Sequence, residues 1–389
     1  MSNEAVLQDA PRGGGMPILT LLIALIAIGL GVYTSLPLFS EGHAAFNTSS
    51  NVVWGLPVVA YVFLALSSTG LAMVSSLAMV FGWKDFYPIA KRCLWLAVTV
   101  LIAGFISLAL ELGHPFRMLW AIPLNLQIQS PLFWMGVWYL IALIFMIVKL
   151  ALLHRDEWST SRSRTVGIAT FVSESLAAVT LALVFGMMAM RPYWYGSFVP
   201  VYFLVTAALS GVAFATLFAF FAHRLGTTSM SARMKHLMTD LMPKIFAALL
   251  GTVLVLAVAR VITGLWSNQP EISLVTRHFV DSPWFHVQLW LGMVLPFILL
   301  LMPKLRVQPL IQVLASVLVL LGVFIGRYEY IVGGQLIPLW KGTWYPDLIA
   351  YTPSLTEWGI VIFGVGVGLL IYAVGTWMFR LDDAPADAR

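Results

Sequence analysis

Residues 94–120 read LWLAVTVLIAGFISLALELGHPFRMLW, and this stretch decides the fold class. The first 17 of these residues carry no charge, and an α-helix needs about 20 mostly apolar residues to cross the bilayer core. We therefore predict a membrane helix over residues 88–112. Its end is unusual for such a helix, because Glu111, His114 and Arg117 follow within seven residues.

The composition of the whole chain also indicates a membrane protein. Of the 389 residues, 60% are hydrophobic and 10% are charged, whereas about 25% of the residues in a soluble domain are charged. The net charge of +5 comes from basic residues scattered over many short loops. They form no basic patch of the kind that binds nucleic acid, so we expect no nucleic-acid partner. From the composition we predict an integral membrane protein.

Ten runs of the sequence are long and apolar enough to cross a bilayer. We predict transmembrane helices at residues 16–39, 53–82, 88–112, 130–153, 165–190, 197–222, 241–266, 283–302, 307–332 and 357–380. The first run follows a glycine-rich lead and has no small-residue cleavage site, so we interpret it as a retained helix rather than a signal peptide. The predicted fold is an all-α, multi-pass membrane protein.

Basic residues predict the orientation of the chain, because Lys and Arg favour cytoplasmic loops. Of the 22 Lys and Arg residues, sixteen fall on one face and six on or toward the other. We expect cytoplasmic tails at residues 1–15 and 381–389 around a membrane domain at residues 16–380. Residues 113–129 then lie on the outer face, which is periplasmic in a bacterium.

The three longest connections all fall on this outer face, at residues 113–129, 267–282 and 333–356, and they are rich in Pro, Trp and Tyr. Such loops suit a lid or a docking surface for a partner protein. An aromatic belt at the membrane interface explains the same composition equally well.

The sequence offers few ligands for a redox centre. Cys93 is the single cysteine, which excludes a cysteine-held iron–sulfur cluster in this chain. The seven histidines lie in predicted loops or near helix ends, whereas a bis-histidine haem needs them near the middle of facing helices. No pair has the spacing of metal ligands. We therefore expect no haem, iron–sulfur cluster or metal ion.

Among the charged residues inside predicted helices, we single out four, because ionisable groups within a membrane mark functional sites. Glu174 lies near the middle of the fifth helix, whereas Arg260, Arg327 and Glu329 lie near the outer ends of the seventh and ninth. We predict that these four residues form a proton path. For Arg260 and Arg327, structural ion pairing between helices is an equal alternative.

Glu111, His114 and Arg117 lie at the boundary where a lipid-soluble quinone presents its head group. A quinone needs an apolar slot, hydrogen-bond donors at its carbonyls and a group that passes protons. Histidine donates a hydrogen bond and titrates near neutrality, and glutamate can take the proton onward. From spacing alone, a helix end with charged interfacial anchors is an equal alternative.

Five stretches, in this order, carry a resemblance to a known family. They are WGLPVVAYVFLALSSTG at 54–70, LELGHPFRMLW at 110–120, SPLFWMGVWYL at 130–140, QLWLGMVLP at 288–296 and GRYEYIVGGQLIP at 326–338. The chain resembles the NrfD / polysulfide reductase membrane-subunit (PsrC-like) family. It is most similar to the ten-helix branch with the hydrogenase-2 membrane subunit and the sulfur-oxidation protein DsrP. The resemblance covers almost the whole chain.

This resemblance implies two four-helix-bundle-like halves plus extra helices, without a bound redox cofactor. It implies a subunit in the bacterial inner (cytoplasmic) membrane that exchanges electrons between membrane quinone, either menaquinone or ubiquinone, and a ferredoxin-like iron–sulfur subunit on the outer face. A molybdopterin enzyme, a hydrogenase or a multihaem cytochrome would lie beyond that subunit. The alternatives are a structural membrane anchor and a secondary transporter, which would have two similar halves with helices broken at matching places.

The resemblance also implies a quinone pocket in the first bundle, near the face where the partner docks. The predicted quinone-binding residues are Glu111, His114, Arg117, Ser130, Trp134 and Trp54. Relatives commonly show Asp and Arg at the positions of Glu111 and His114. Gln288 occupies a place where relatives often have Glu.

Overall fold

The computed structural model describes residues 16–112, 120, 124, 126–338 and 348–385. His114 and Arg117 lie outside these residues. The described residues form helices and loops without a β-strand, and ten helices are long and apolar enough to cross a membrane. The predicted all-α membrane fold is confirmed.

The ten helices follow the predicted runs to within a few residues, except that α7 begins earlier. They are α1 (Met16–Ser35), α2 (Leu56–Met79), α3 (Tyr87–Glu111), α4 (Pro131–His154), α5 (Ser161–Gly186), α6 (Phe198–Ala222), α7 (Ala232–Leu265), α8 (Pro283–Leu301), α9 (Pro309–Gly333) and α10 (Leu355–Met378). Because consecutive spans alternate in direction, α1 begins and α10 ends on the same face. We call it the terminal face, and the opposite one the far face.

Local sequence explains where several of these helices begin. Pro131 and Pro309 each occupy the first position of a helix, where the missing N–H of proline has no intrahelical partner to lose. Thr160 caps α5 by accepting a hydrogen bond from Ser163 N at 3.2 Å. Ser354 and Glu357 form a reciprocal capping box at the start of α10.

The helices form two bundles of four, α2–α5 and α6–α9, as the resemblance implied. The bundles meet where α2 crosses α6, at Gly70 and Gly211. A Cβ on Gly70 would overlap the backbone oxygen of Ala207 and lie 2.9 Å from Gly211 N. Only glycine permits so close an approach of two backbones. The extra helices α1 and α10 pack against each other, and α10 also packs against α3.

Helices α7 and α8 each contain a π-helical segment, at Leu237–Leu241 and Val287–Val294. Helix α9 contacts both segments. Gln312 Nε2 donates to the backbone oxygen of Met238 at 2.7 Å in the first segment. Gly322 faces Gly292 in the second, where a Cβ on Gly292 would lie 2.6 Å from Gly322 Cα. Such segments interrupt the regular hydrogen-bond ladder and are frequent at functional sites.

Three basic residues near the terminal face are buried in helices rather than exposed in loops. Arg92 on α3 forms an ion pair with Asp382, with Nη2 2.6 Å from Oδ1, and donates to Tyr372 Oη at 2.6 Å. The ammonium of Lys91 lies 5.6 Å above the ring of Trp158. Lys149 is buried inside α4.

Candidate functional site

Glu174 lies at the centre of α5, 13 residues after the helix begins at Ser161, and its exposed fraction is 1%. Thr69 Oγ1 donates to Glu174 Oε2 at 2.7 Å, and Ser68 Oγ lies 3.3 Å from Oε1. Both hydroxyl groups come from α2, where Ser68 and Thr69 interrupt a mostly apolar helix and contact this carboxyl group. In the described ranges, no cation forms an ion pair with Glu174.

Two buried tyrosines lie in the same bundle as Glu174. The Tyr139 hydroxyl lies beside Thr69 and within electrostatic range of Glu174 and Tyr61. The ring of Phe105 connects the two tyrosines, at 5.9 Å from the Tyr61 ring and 6.1 Å from the Tyr139 ring. The Tyr61 hydroxyl is buried without a hydrogen-bond partner among the described residues. The core of the first bundle therefore contains a layer of polar groups around Glu174, although most of its other side chains are apolar.

Arg327 on α9 is a cation in the core of the second bundle, with an exposed fraction of 2%. Its Nη2 donates to Thr206 Oγ1 on α6. The guanidinium carbon lies 4.0 Å from the ring centre of Phe203 and 5.6 Å from that of Tyr202. Aromatic faces stabilise a cation in this arrangement, and Arg327 Nε has no acceptor among the described residues.

Arg260 on α7 lies nearby in an aromatic cage. Its Nη2 donates to Tyr193 Oη at 2.6 Å, and its guanidinium carbon lies 4.9 Å from the ring centre of Tyr330 and 5.9 Å from that of Tyr202. Burial raises the pKa of the Tyr193 hydroxyl, and the charge of Arg260 opposes this effect. Glu329 lies within electrostatic range of Arg260. Its Oε1 is buried without a hydrogen-bond partner in the part of the chain that the structure describes.

Among the described residues, neither Arg260 nor Arg327 forms an ion pair of the predicted alternative kind, although Glu329 lies within electrostatic range of Arg260. The ion pairs among the described residues are those of Arg92 with Asp382 and Lys244 with Asp240. Aromatic rings and hydroxyl groups surround Arg260 and Arg327 instead.

Polar side chains connect the two bundles at the α2–α6 contact. Ser67 Oγ and Ser210 Oγ lie 3.1 Å apart, beside the hydroxyls that surround Glu174. Thr206, which accepts from Arg327, lies four residues before Ser210 and so on the same face of α6. The four predicted proton-path residues thus form two groups, with Glu174 in the first bundle and the others in the second.

The structure describes four of the six predicted quinone-binding residues, namely Glu111, Ser130, Trp134 and Trp54. Glu111 is a buried residue at the far-face end of α3, where its backbone oxygen contacts His43 Nε2. Ser130 precedes α4, and Trp134 Nε1 donates to Ile128 O at 2.8 Å. Among the described residues, no hydrogen bond, ion pair or ring contact joins these side chains to one another.

Trp54 also lies at the far-face end of the first bundle, just before α2, and its ring centre is 5.4 Å from those of Trp194 and Phe185. Gln335 fixes its backbone: Oε1 accepts from Val53 N and Trp54 N, and Nε2 donates to Trp54 O, each at 2.9 Å. The stretches 54–70 and 326–338 are therefore in direct contact. Sequence reasoning missed Gln335, because no local pattern identifies a partner about 280 residues away.

Glu357 is a second residue that the site prediction missed. Its exposed fraction is 0%, and Oε2 accepts from Asn47 N at 3.2 Å and Ser354 N at 2.8 Å, while Oε1 accepts from Leu56 N at 3.3 Å and from Tyr351 Oη. Burial and this hydrogen bond raise the pKa of the Tyr351 hydroxyl. The capping-box spacing from Ser354 to Glu357 was the available sequence signal.

An apolar cavity of about 330 Å³ lies between the bundles and α10. Its lining includes Phe63, Thr99, Phe218, Phe324, Gly368 and Tyr372. Pockets of this size and apolar character suit hydrophobic ligands. Within the described ranges, no group of three His, Cys, Asp or Glu side chains could hold a metal ion.

A family model described as polysulphide reductase, NrfD, matches residues 45–338. This range contains α2–α9, both bundles, and leaves out α1 and α10. The chain is 25% identical to a subunit of the selenate reductase of Mesobacillus selenatarsenatis, over 91% of this chain and 91% of that protein. It is 24% identical to the Hdr-like menaquinol oxidoreductase integral membrane subunit of Archaeoglobus fulgidus, over 95% of each.

A further relative is the menaquinone reductase integral membrane subunit of Nitratidesulfovibrio vulgaris, at 22% identity over 90% of this chain and 88% of that protein. These relatives, like the family match, confirm the resemblance inferred from the five motifs. The family match covers more than half of the chain and contains every helix of the two bundles. The chain therefore belongs to the NrfD polysulphide reductase family.

Proposed function

We propose that this chain is the quinone-reactive membrane subunit of a multi-subunit respiratory oxidoreductase. The observation that carries this proposal is the family match, which covers the eight helices that enclose the buried polar groups. The chain exchanges electrons between a membrane quinone and a partner iron–sulfur subunit. Two relatives are named for menaquinol or menaquinone, which favours menaquinone over ubiquinone.

The quinone head binds at the far-face end of the first bundle, at Glu111, His114, Arg117, Ser130, Trp134 and Trp54. Glu111 supports this position as a buried carboxyl group at a helix end, where a proton can be exchanged with a bound quinol. Trp54 offers a flat aromatic surface already stacked on Trp194. The apolar cavity between the bundles and α10 offers room for part of the isoprenoid tail.

Glu174 holds a proton that the quinone chemistry uses. Ser68 has one hydroxyl proton and a nearer acceptor in the backbone oxygen of Ala97, at 2.9 Å. When Ser68 donates there, its contact with Glu174 Oε1 is a hydrogen bond only if the carboxyl group donates. A charged carboxylate without a cation would also be costly in this core. Arg327, Arg260 and Glu329 continue the path toward the far face.

The iron–sulfur subunit docks on the far face, with a molybdopterin enzyme, a hydrogenase or a multihaem cytochrome beyond it. Exposed aromatic side chains support this surface, because Tyr195, Trp266 and Trp284 are each more than half exposed there. Tyrosine and tryptophan are enriched at protein interfaces. The terminal face is cytoplasmic, and the complex lies in the bacterial inner membrane.

The transporter alternative has weaker support from the helix geometry. A transporter of two similar halves has broken helices at matching places. Here the π-helical segments lie in α7 and α8, whereas their counterparts α3 and α4 are continuous. The interruptions therefore belong to one bundle.

The test uses membranes that contain the native complex, with a short-chain menaquinone analogue and a redox dye that cannot cross the membrane. We expect the complex to transfer electrons between them, and membranes that lack this chain to lose that transfer. If a complex without this chain transferred electrons at an unchanged rate, the chain would be a structural membrane anchor rather than a quinone-reactive subunit. Solute uptake by the chain alone would support the transporter instead.

A further inference from the structure

Lys149 is, with Lys91 and Arg92, one of three buried cations of the first bundle that the proposed function does not use. It lies five residues before the end of α4 at His154, with an exposed fraction of 0%. Its Nζ donates to the backbone oxygen of Ser163 at 2.7 Å and to Ser163 Oγ at 2.6 Å. The ion pairs found in the described part of the chain do not include Lys149.

The face of α5 that Lys149 contacts leads to Glu174. Ser163, Gly167, Thr170 and Glu174 are all buried and follow one another at intervals of four, three and four residues. Residues at this spacing share one face of a helix. Helix α5 thus presents hydroxyl groups and a glycine, rather than bulky apolar side chains, between the terminal face and the central carboxyl group.

The lysine side chain lies across Gly167, which leaves room for it. A Cβ on Gly167 would lie 3.7 Å from Lys149 Cε, so the aliphatic stem runs level with this residue. Gly167 lies seven residues before Glu174, which is about 10 Å along the helix axis. From here the flexible stem can point the ammonium toward Ser163, as observed, or toward Thr170 and Glu174.

The two hydrogen bonds to Ser163 join α4 to α5, but they do not explain why a cation occupies this position. A cation near the start of a helix opposes the helix dipole, because the N-terminal end is itself positive. Burial of an ammonium group without an anion adds a desolvation cost. Lysine is, however, a basic side chain that proteins use for proton exchange in buried sites, whereas arginine keeps its proton.

We propose that Lys149 relays protons between the terminal face and Glu174, by moving its ammonium group between Ser163 and Thr170. The proton passes from Lys149 Nζ to the carboxylate left when Glu174 gives up its proton, directly or through water beside Thr170. Lys149 is then reprotonated from the terminal face. This inference rests on the proposed role of Glu174 as a proton carrier.

The test follows hydrogen–deuterium exchange at Glu174 by infrared spectroscopy of the full chain in lipid vesicles. The carboxylic acid band of Glu174 is identified as the band lost in Glu174→Gln. We expect this band to exchange at least tenfold more slowly in Lys149→Met and in Lys149→Arg. The arginine variant retains the charge and the donors to Ser163, so it tests proton transfer even where the methionine variant folds poorly.

Lys91→Met is the matched control, because Lys91 is also a buried lysine near the terminal face. Its ammonium group lies over the ring of Trp158, whereas that of Lys149 contacts α5. We expect the exchange rate in Lys91→Met to equal that of the wild type. Unchanged or faster exchange in Lys149→Arg would overturn the relay and leave the role of Glu174 intact. If Glu174→Gln removes no band, the proposed protonation of Glu174 fails, and the relay fails with it.

Discussion

Thr69 on α2 donates a hydrogen bond of 2.7 Å to the carboxyl group of Glu174 on α5, at the centre of the first bundle. Glu357 is equally buried, but its two oxygens accept from three backbone N–H groups and one tyrosine hydroxyl. Four donors satisfy a carboxylate, so Glu357 holds the ends of α2 and α10 together. Glu174 has hydroxyl neighbours, which can both donate and accept a proton.

The first prediction concerns proton transfer at Glu174. Glu174→Gln keeps the shape of the side chain and removes its titration, so the native complex should assemble normally. We expect slower quinone turnover with an altered pH dependence. Both turnover and proton uptake are measured with the complex in lipid vesicles. Glu41→Gln, at an exposed glutamate of the far face, serves as the control. Full turnover, an unchanged pH dependence and normal proton movement in Glu174→Gln would make Glu174 a structural residue.

The second prediction concerns the contact between the bundles. Gly70→Ala should strongly destabilise the protein, because the new Cβ overlaps the backbone of α6 at Ala207. Gly136→Ala on α4 is the matched control, since a Cβ there meets no atom within 4 Å. Alanine is favoured over glycine in a helix by up to about 1 kcal/mol, so the control should be neutral or slightly more stable. Equal thermal unfolding midpoints for the two variants in detergent would contradict the contact.

The third prediction concerns the far-face cap. Glu357→Ala leaves the backbone N–H groups of Asn47 and Ser354 without their acceptor, whereas Leu56 N keeps Tyr351 Oη as an acceptor at 2.9 Å. A buried group left unsatisfied costs about 1–3 kcal/mol, so the thermal unfolding midpoint should fall by several degrees. Glu357→Gln should have a smaller effect, because one oxygen acceptor remains. Glu41→Ala is the control, and a wild-type midpoint in Glu357→Ala would show that the cap contributes little.

The fourth prediction separates two roles at the proposed quinone site. His114→Ala should weaken quinone affinity, because losing a hydrogen bond to a buried partner costs about 1–3 kcal/mol, or roughly five- to 150-fold in affinity. Glu111→Gln should retain most of the affinity and slow proton-coupled turnover. A purely structural helix end would give either normal behaviour in both variants or loss of assembly in both. Steady-state kinetics of the assembled complex at several pH values distinguish these outcomes.

Much of the fold could be predicted from the sequence, because membrane helices depend on local composition. The ten apolar runs identified the ten spans, and a charge such as Glu174 stood out against an apolar background. Helix α5 begins at Ser161 rather than at the predicted residue 165, and Glu174 lies near its middle.

The contacts between helices could not be predicted in this way. Gln335 binds the backbone of Trp54, and Gly70 faces Gly211, through pairings between distant parts of the chain. Lys149 lay within a predicted helix, but its burial beside Ser163 depends on how α4 packs against α5.

The central claim is that this chain binds quinone, and tryptophan fluorescence of the purified full chain tests it most directly. The chain has 15 tryptophans, of which Trp54 and Trp134 belong to the proposed site. Titration with a short-chain menaquinone analogue should give saturable quenching with one quinone per chain. Trp54→Phe should reduce the amplitude, whereas Trp377→Phe, at an exposed tryptophan near the terminal face, should not. Quenching that never saturates, or that is equal in both variants, would contradict a quinone site at the far-face end of the first bundle.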